Sequence, residues 1–151
     1  RILVTTFQNP WNAVVRFDVG DLIRLHGTGQ CKCGRSEGMI AEAVEGRVSN
    51  ATFTTSGGLV TTRALDQALD VIPGIRDYNL EQISSSKYNL QLMVKGEEQA
   101  ITQLASTALA KLYGDDGQFT IQTLDNLLPG PAGKFRRSQT LLSFDEKELF
   151  Q

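Results

Sequence analysis

The chain has 151 residues, of which 40% are apolar, and its 15 basic and 17 acidic side chains give a formal net charge of −2. This length suits one ordinary domain, or a small domain joined to a piece of another. The lack of a basic excess argues against a nucleic-acid groove or a surface for anionic membranes. No apolar run in the sequence approaches the roughly 18 residues that a membrane-spanning helix needs.

The first 45 residues are predicted to form short β-strands. The strands "RILVTTF" and "VVRFDV" are joined by "QNPWNA", and "DLIRL" and "MIAEAVEG" lie on either side of a turn. This spacing favours a small antiparallel sheet or barrel over βαβ units. Because the chain opens directly on a strand without an initiator Met, we expect it to be part of a longer protein.

From residue 51 the predicted order is β-α-β-β-α-β. A strand, "ATFTT", precedes a helix, "VTTRALDQALDVIPG", whose apolar stripe is Leu65, Ala68, Leu69 and Ile72. A hairpin of "YNLEQIS" and "NLQLMVKG" leads to the helix "EEQAITQLASTALAKLYG", whose apolar stripe is Ile101, Leu104, Ala105, Ala108 and Leu112. The strand "QFTIQTL" completes the order. The sequence thus predicts an α+β chain, with a small β-rich N-terminal segment and a ferredoxin-like C-terminal domain.

The stretch "LPGPAGKFRRSQ", from Leu128 to Gln139, is predicted to be a shaped loop rather than a tail. Its prolines and glycines cannot continue a helix or a central strand. The β-capable "TLLSF" that follows would anchor the loop, and an anchored loop can hold Lys134 in one place. A fixed ammonium group can neutralise charge on a reacting phosphoryl or carboxylate group. The plainer alternative is a solubilising basic loop.

Three further motifs place polar residues or glycines at turns. Asp21 in "RFDVGDL" can accept hydrogen bonds from a ribose diol, and Arg47 in "EGRVSN" can reach a ribose or a phosphate. Gly57 and Gly58 in "TTSGGLV" permit close approach of a ligand to the backbone near a helix N-terminus. Taken singly, each motif has a plainer interpretation: a strand-end turn, a surface arginine and a connecting turn.

The cysteines raise the question of a metal site. His26, Cys31 and Cys33 form an H-x4-C-x-C pattern with three potential zinc ligands, whereas structural zinc usually has four. The alternative is that "CKCGR" only makes a tight turn, and both interpretations stay open. Cysteines one residue apart are poorly placed for a disulfide, so we expect a reducing, cytoplasmic compartment.

In their order and spacing these motifs resemble the C-terminal part of the adenylate-forming acyl-CoA synthetase superfamily. "RFDVGD" is followed by "GR", a glycine loop, a split βαβ domain and a Gly-Lys, so the resemblance runs from "RILVTTF" to "GKFRR". The finer resemblance is to the phenylacetate-CoA ligase branch. In that branch a "CxCGR" turn, here "CKCGR", lies between the nucleotide motif and the "GR" hinge.

The resemblance implies a role for each motif. Asp21 would bind the ribose hydroxyls of ATP, and Arg47 would lie near the nucleotide. Lys134 would stabilise the adenylation step, and the loop of Gly57 and Gly58 would swing in to line the pantetheine tunnel.

The same resemblance implies two pieces that move relative to one another. Residues 1–46 would end the large adenylation core, and residues 47–151 would form a mobile lid. The chain departs from the family pattern at three positions, which are Val19 for a Thr, Ser49 for the hinge Asp and Ser56 for a basic residue. The second departure leaves Ser49 and Asn50 as the hinge candidates.

The implied function is that of an AMP-forming ligase for an aryl, phenylacetate-like carboxylic acid. The acid and ATP, with Mg, would give an acyl-adenylate and pyrophosphate, and CoA would then displace AMP. The phosphate-binding loop and the acyl pocket would belong to a large N-terminal domain of the same protein, so the chain alone is expected to be inactive. The alternatives are an adenylating enzyme for another acid or acceptor, and a free-standing ferredoxin-like module that binds a small metabolite.

Overall fold

A computed structural model describes residues 1–9, 11–27, 31, 33–34, 37–130 and 133–144. Over these residues the chain is mixed α and β, with two α-helices, as the sequence predicts. Neither of the two has the length and apolar character needed to cross a membrane.

The N-terminal segment contains two small antiparallel sheets. The paired strands are β1 (Leu3–Val4) with β2 (Phe17–Asp18), and β3 (Asp21–Leu25) with β4 (Ala41–Arg47). The predicted strands "DLIRL" and "MIAEAVEG" are therefore confirmed, whereas "RILVTTF" and "VVRFDV" contribute only two residues each. Phe7 and Trp11 between β1 and β2 are almost fully exposed. Their side chains therefore make no buried contacts that would stabilise longer strands.

A short connection leads from this segment to the C-terminal domain. The elements that follow β4 are a 3₁₀ turn (Val48–Asn50), β5 (Thr52–Phe53), β6 (Leu59–Val60) and α1 (Thr62–Leu69). The strands β5 and β6 pair with each other as a hairpin. The helix begins after Thr61, whose hydroxyl oxygen accepts a hydrogen bond from the Ala64 N–H at 3.2 Å, as an N-cap residue does.

The C-terminal domain is built on a four-stranded sheet. Its elements in chain order are β7 (Ile75–Gln82), β8 (Lys87–Val94), α2 (Glu98–Tyr113), β9 (Gln118–Thr123) and β10 (Ser138–Thr140). The strand order is β10-β7-β8-β9. The central pair β7 and β8 is the predicted antiparallel hairpin, whereas β9 runs parallel to β8 and β10 runs parallel to β7.

The ferredoxin-like topology of this sheet is not confirmed. The strand predicted before α1 does not enter the sheet, because β5 is only two residues long and pairs with β6 in a separate hairpin. The fourth place is taken by β10, which consists of the last two residues of the "LPGPAGKFRRSQ" stretch and Thr140. The sheet therefore anchors the loop at its C-terminal end, although only Thr140 of the predicted anchor "TLLSF" belongs to the strand.

Both helices pack against the sheet in one apolar core. Its fully buried members are Leu65, Leu69, Tyr78, Leu80, Tyr88, Leu90, Leu92, Ala105, Leu109 and Tyr113. Of the predicted stripe, Leu65 and Leu69 are buried in α1, whereas Ile72 is buried after the helix has ended, because α1 stops at Leu69 and not near Pro73 as predicted. In α2 the buried residues recur every fourth position from Ile101 to Tyr113, so Leu104, which was predicted to be in the core, lies beside the buried face and is 51% exposed.

Candidate active site

The two residues predicted to contact a nucleotide lie opposite one another. Asp21 is the first residue of β3 and Arg47 is the last residue of β4, and the antiparallel register makes them direct partners. Arg47 Nε lies 3.5 Å from Asp21 Oδ1, and both side chains remain partly exposed. The structure therefore brings together a carboxylate and a guanidinium that lie in separate sequence motifs.

The turn before Asp21 is held by side-chain and backbone hydrogen bonds. Gly20 has φ +77°, a left-handed conformation that glycine adopts readily. Its N–H donates to Asp18 Oδ1 at 2.8 Å, and its carbonyl accepts from the Val48 N–H at 2.9 Å. The position of Asp21 is thus coupled to the residue that follows Arg47.

The hinge candidates Ser49 and Asn50 lie in the 3₁₀ turn after β4. Ser49 is exposed, and its hydroxyl donates to Asn50 Oδ1 at 3.4 Å. The Asn50 carbonyl accepts a hydrogen bond from the hydroxyl of buried Ser138 in β10 at 2.7 Å. Val48 before them is almost fully buried. The turn is therefore fixed at its first residue, while the Ser49 side chain is open to solvent.

A buried carboxylate that the sequence analysis missed lies just before this turn. Glu45 is only 6% exposed, and its Oε2 accepts a hydrogen bond from the Thr61 hydroxyl at 2.9 Å. Its Oε1 lies 2.8 Å from Arg24 Nη2, although this ion pair lacks hydrogen-bond geometry. Glu45 and Thr61 are on opposite sides of the turn in sequence, so their contact links β4 to the start of α1. The local sequence "AEAVEG" gives no sign of this burial.

The predicted glycine loop is the connection between β5 and β6. Thr54 organises it: the Thr54 N–H donates to the Gly58 carbonyl at 2.8 Å, and the Gly57 N–H donates to the Thr54 carbonyl at 2.9 Å. The Gly58 N–H donates to the Thr54 hydroxyl oxygen at 2.8 Å. Gly57 has φ +87° and is exposed. The loop therefore exposes backbone that no side chain covers at Gly57 and Gly58.

Buried polar side chains of the domain hold the base of this loop. The Gln82 side chain pairs with both backbone groups of Phe53. The Tyr88 hydroxyl donates to the Phe53 carbonyl at 2.8 Å. The Tyr113 hydroxyl bonds to the Thr52 hydroxyl at 2.7 Å. Burial raises the pKa of both tyrosines above the ordinary value, so their hydroxyls stay protonated. Sequence patterning predicts these residues only as members of a strand or a helix, because their partners are distant in the chain.

Lys134 is exposed on the predicted loop before β10. The Gly130 N–H donates to the Lys134 carbonyl at 3.1 Å, and the Gly133 N–H donates to the Gly130 carbonyl at 2.8 Å. The loop borders a cleft of about 420 Å³ that is lined by Asn79, Gln91, Leu128, Gly130, Lys134, Arg136 and Gln139. The lining combines two cationic and three carboxamide side chains, which suits an anionic group.

Arg137 fastens the C-terminal end of this loop to α1. Its Nη1 lies 2.7 Å from Asp66 Oδ1, and its guanidinium lies 5.5 Å from the centre of the Tyr78 ring. The hydrogen bond to Asp66 raises the pKa of Arg137. Burial, followed by the hydrogen bond to Asp66, raises the pKa of Tyr78 far above its ordinary value. Arg137 therefore stays charged, and it ties the lysine loop to the helical layer.

The structure does not bring Lys134 and the glycine loop into one cleft. Gly57 borders a second cleft of about 450 Å³, whose lining residues are Phe53, Thr54, Thr55, Ser56, Gly57, Ser85, Leu142, Ser143 and Phe144. The two clefts share no residue, and neither is lined by Asp21 or Arg47. The predicted functional residues thus occupy three separate places in the described part of the chain.

Two described residues of the cysteine motif are joined by a backbone hydrogen bond. The Gly34 N–H donates to the Cys31 carbonyl at 2.8 Å, and Gly34 has φ +88°. Cys31 and Cys33 are not joined by a disulfide. Across the described residues, which include both cysteines and His26, no three side chains of His, Cys, Asp or Glu come together as metal ligands. The motif residues Lys32 and Arg35 lie outside the described residues.

Magnesium is the ion that the resemblance implies together with ATP. Among the residues that the structure describes, no three side chains of His, Cys, Asp or Glu come together in a cluster that fits this ion.

Comparison with known proteins places the fold among the CoA ligases. Two crystal structures of 2-hydroxyisobutyryl-CoA ligase in the postadenylation state, with 2-HIB-AMP or R3-HIB-AMP bound, align with TM-scores of 0.61 and 0.62. Each alignment has 17% sequence identity and covers 91% of this chain. An open conformation of the same ligase, with 2-HIB-AMP and CoA, aligns with a TM-score of 0.53 and 16% identity over 87% of this chain. The likeness is one of fold.

The chain spans only about 30% of the length of these ligase structures. No protein-family model matches the sequence, and no curated protein matches it either. The chain therefore has the fold of a portion of an acyl-CoA ligase.

Proposed function

We propose that the chain is the C-terminal portion of an AMP-forming acid–thiol ligase. The observation that carries the proposal is the pairing of Asp21 with Arg47, at 3.5 Å across β3 and β4. Two motifs that the resemblance assigns to the nucleotide therefore meet at one partly exposed point. A fold likeness to a CoA ligase at this length supports the same assignment.

The reaction proceeds in two half-reactions. A carboxylate oxygen of the acid attacks the α-phosphorus of ATP, and pyrophosphate leaves with the electron pair of the broken P–O bond. The thiol of CoA then gives its proton to water and attacks the acyl carbonyl carbon, and AMP leaves with the electron pair of the broken C–O bond. Asp21 accepts hydrogen bonds from the ribose hydroxyls, and the Lys134 ammonium stabilises the negative charge that develops at the phosphoryl group.

The distribution of exposed apolar side chains supports the proposed domain division. Residues 1–46 carry Leu3, Phe7, Trp11, Val15, Phe17, Leu25, Met39 and Val44, all more than half exposed. Large apolar side chains so concentrated on one small segment are typical of a surface that more protein covers. We assign residues 1–46 to the end of the adenylation core and residues 47–151 to the lid.

The separation of the two clefts supports a lid that moves. The cleft beside Lys134 contains cations and carboxamides, and the cleft beside Gly57 combines bare backbone with serine, threonine and phenylalanine side chains. Rotation about the turn at Ser49 and Asn50 would present one cleft to the reacting acid in adenylation and the other in thioester formation. The cysteine motif, as part of the resemblance, favours an aryl, phenylacetate-like acid.

The experiment uses the full-length protein and a panel of carboxylic acids that includes phenylacetate and 2-hydroxyisobutyrate. We expect pyrophosphate release that depends on one class of acid, and thioester formation when CoA is added. Thioester formation with a non-aryl acid would support the ligase reaction and contradict the aryl substrate. Release without transfer to CoA would indicate another acceptor. No release with any acid, together with metabolite binding by the C-terminal domain, would favour the regulatory module.

A further inference from the structure

Gln82 is a buried polar side chain that the proposed chemistry does not use directly. It is the last residue of β7, and its exposure is 0%. A buried carboxamide is unfavourable unless its donor and acceptor groups are both paired. The hydrogen-bond partners of Gln82 therefore indicate why a polar side chain occupies this buried position.

The side chain pairs with a single residue at the base of the glycine loop. The Phe53 N–H donates to Gln82 Oε1 at 2.8 Å, and Gln82 Nε2 donates to the Phe53 carbonyl at 3.0 Å. This is the exchange of two hydrogen bonds that a neighbouring strand would make with β5. β5 lies outside the four-stranded sheet. The Gln82 side chain thus satisfies the Phe53 backbone groups that a neighbouring strand of that sheet would otherwise pair with.

The backbone of Gln82 holds the other wall of the same cleft. Its carbonyl accepts a hydrogen bond from the Leu141 N–H at 2.9 Å, and Leu142 and Phe144 line the cleft opposite the glycine loop. The rings of Phe53 and Phe144 meet edge to face, with centroids 5.0 Å apart. Both walls of the cleft beside Gly57 therefore converge on one residue.

We propose that Gln82 is a positioning residue for thioester formation, which sets the distance between the glycine loop and the segment after β10. This inference rests on the proposed function, because it assigns the cleft beside Gly57 to the thiol of CoA. Gln82 contacts neither acid nor nucleotide in this role. It acts through Phe53, and its loss leaves the Lys134 cleft intact.

The test compares Gln82→Met with the unmodified protein. Methionine keeps the approximate volume of the side chain and removes both hydrogen bonds. Thioester formation from supplied acyl-adenylate should fall on the order of tenfold to a hundredfold, as for a misplaced reactive group, while acid-dependent pyrophosphate release stays close to that of the unmodified protein. Tyr88→Phe, which removes the second hydrogen bond to the Phe53 carbonyl, should act in the same direction and more weakly.

The control is Ile101→Val, a core substitution in the first turns of α2. Ile101 is 5% exposed, and it lines neither cleft. Any effect of reduced stability alone should appear in this variant as an equal change in both half-reactions. A Gln82→Met variant that behaves like Ile101→Val would overturn the positioning role.

Amide hydrogen exchange of the same variants separates the positioning role from the enzymatic assignment. In Gln82→Met the amides of Phe53 and Thr55 should exchange at least tenfold faster, a conservative threshold for the loss of a buried pairing, while those of β8 stay unchanged. Unchanged exchange at Phe53, or a uniform increase throughout the domain, would overturn the role of Gln82. Local loosening in a full-length protein that makes no adenylate would instead contradict the proposed ligase function and with it the link to thioester formation.

Discussion

Arg47 lies across the sheet from Asp21, with its Nε 3.5 Å from Asp21 Oδ1, and the backbone of the next residue, Val48, bonds to the residue before Asp21. The pair is therefore linked twice, through side chains and through the Gly20 carbonyl. Because the turn that contains Ser49 and Asn50 begins at Val48, the partly exposed carboxylate of Asp21 lies close to the proposed pivot.

Substitution of Asp21 tests the nucleotide assignment. Asp21→Asn keeps the size of the side chain and removes the charge, so the KM for ATP should rise by about tenfold or more, as expected for the loss of charged hydrogen bonds. The KM for the acid should not change. Glu42→Gln, at an exposed carboxylate on the same hairpin, is the control. Equal changes in both KM values would indicate that Asp21 only shapes the turn.

Lys134→Ala should affect adenylation selectively. The removal of one preorganised charge at a developing anion typically lowers the rate by about 10² to 10³, and thioester formation from supplied acyl-adenylate should be spared. Lys111→Ala, at an exposed lysine in the last turn of α2, is the matched control. Equal losses in both half-reactions would contradict the role assigned to the lysine.

Gly57→Ala should affect thioester formation selectively. At φ +87° an alanine is strained by about 1–2 kcal/mol, although no atom lies within 4 Å of the added methyl group. The backbone of the loop should therefore shift without disturbing the core. Gly38→Ala is the control, because Gly38 has φ +83° and equally open surroundings in the N-terminal segment. A loss of adenylation in Gly57→Ala would contradict the assignment of the loop.

How far the sequence predicts the structure depends on how many residues along the chain separate the interacting partners. The hairpin of β7 and β8, both helices and the strand β3 follow from local periodicity. The place of β10 in the sheet and the burial of Glu45 do not, because each depends on partners more than ten residues away. Short motifs predict Asp21, Arg47, Gly57 and Lys134 as site residues, whereas nothing in its local sequence distinguishes Gln82 from other strand residues.

The three tyrosines of the chain predict a loss of stability in alkali. Tyr78, Tyr88 and Tyr113 are buried, and the pKa of each is raised above 10.0, the ordinary value. The folded state thus holds these protons more tightly than the unfolded state. Their contribution is fully present below pH 10 and declines as the pH rises toward the raised pKa values, by at most about 1.4 kcal/mol per pH unit for a tyrosine that stays protonated in the folded state.

Chemical denaturation at a series of pH values, with tyrosinate absorbance as a second signal, measures this decline. Tyr113→Phe removes one titrating group, so it should make the alkaline loss of stability less steep, even though the bond to Thr52 is lost. A stability that stays constant above pH 10 would contradict the burial of these hydroxyls.

Elemental analysis of the full-length protein, purified without chelator, decides between a zinc site and a plain turn at the cysteine motif. If His26, Cys31 and Cys33 hold zinc as part of a complete ligand set, the content should approach one equivalent and Cys31→Ser should lower it, because thiolates are the ligands. Metal-free protein with both thiols accessible to titration would instead leave the motif as a turn.

The central claim is that the Lys134 loop serves adenylation and the Gly57 loop serves thioester formation. The most direct test measures both half-reactions in the full-length protein for Lys134→Ala and Gly57→Ala side by side. Acid-dependent exchange between ATP and pyrophosphate reports adenylation, and thioester formation from supplied acyl-adenylate reports transfer to CoA. We predict opposite selectivity: Lys134→Ala loses exchange and keeps transfer, whereas Gly57→Ala keeps exchange and loses transfer. The same pattern of loss in both variants, or no acid-dependent exchange in the unmodified protein, would contradict the account.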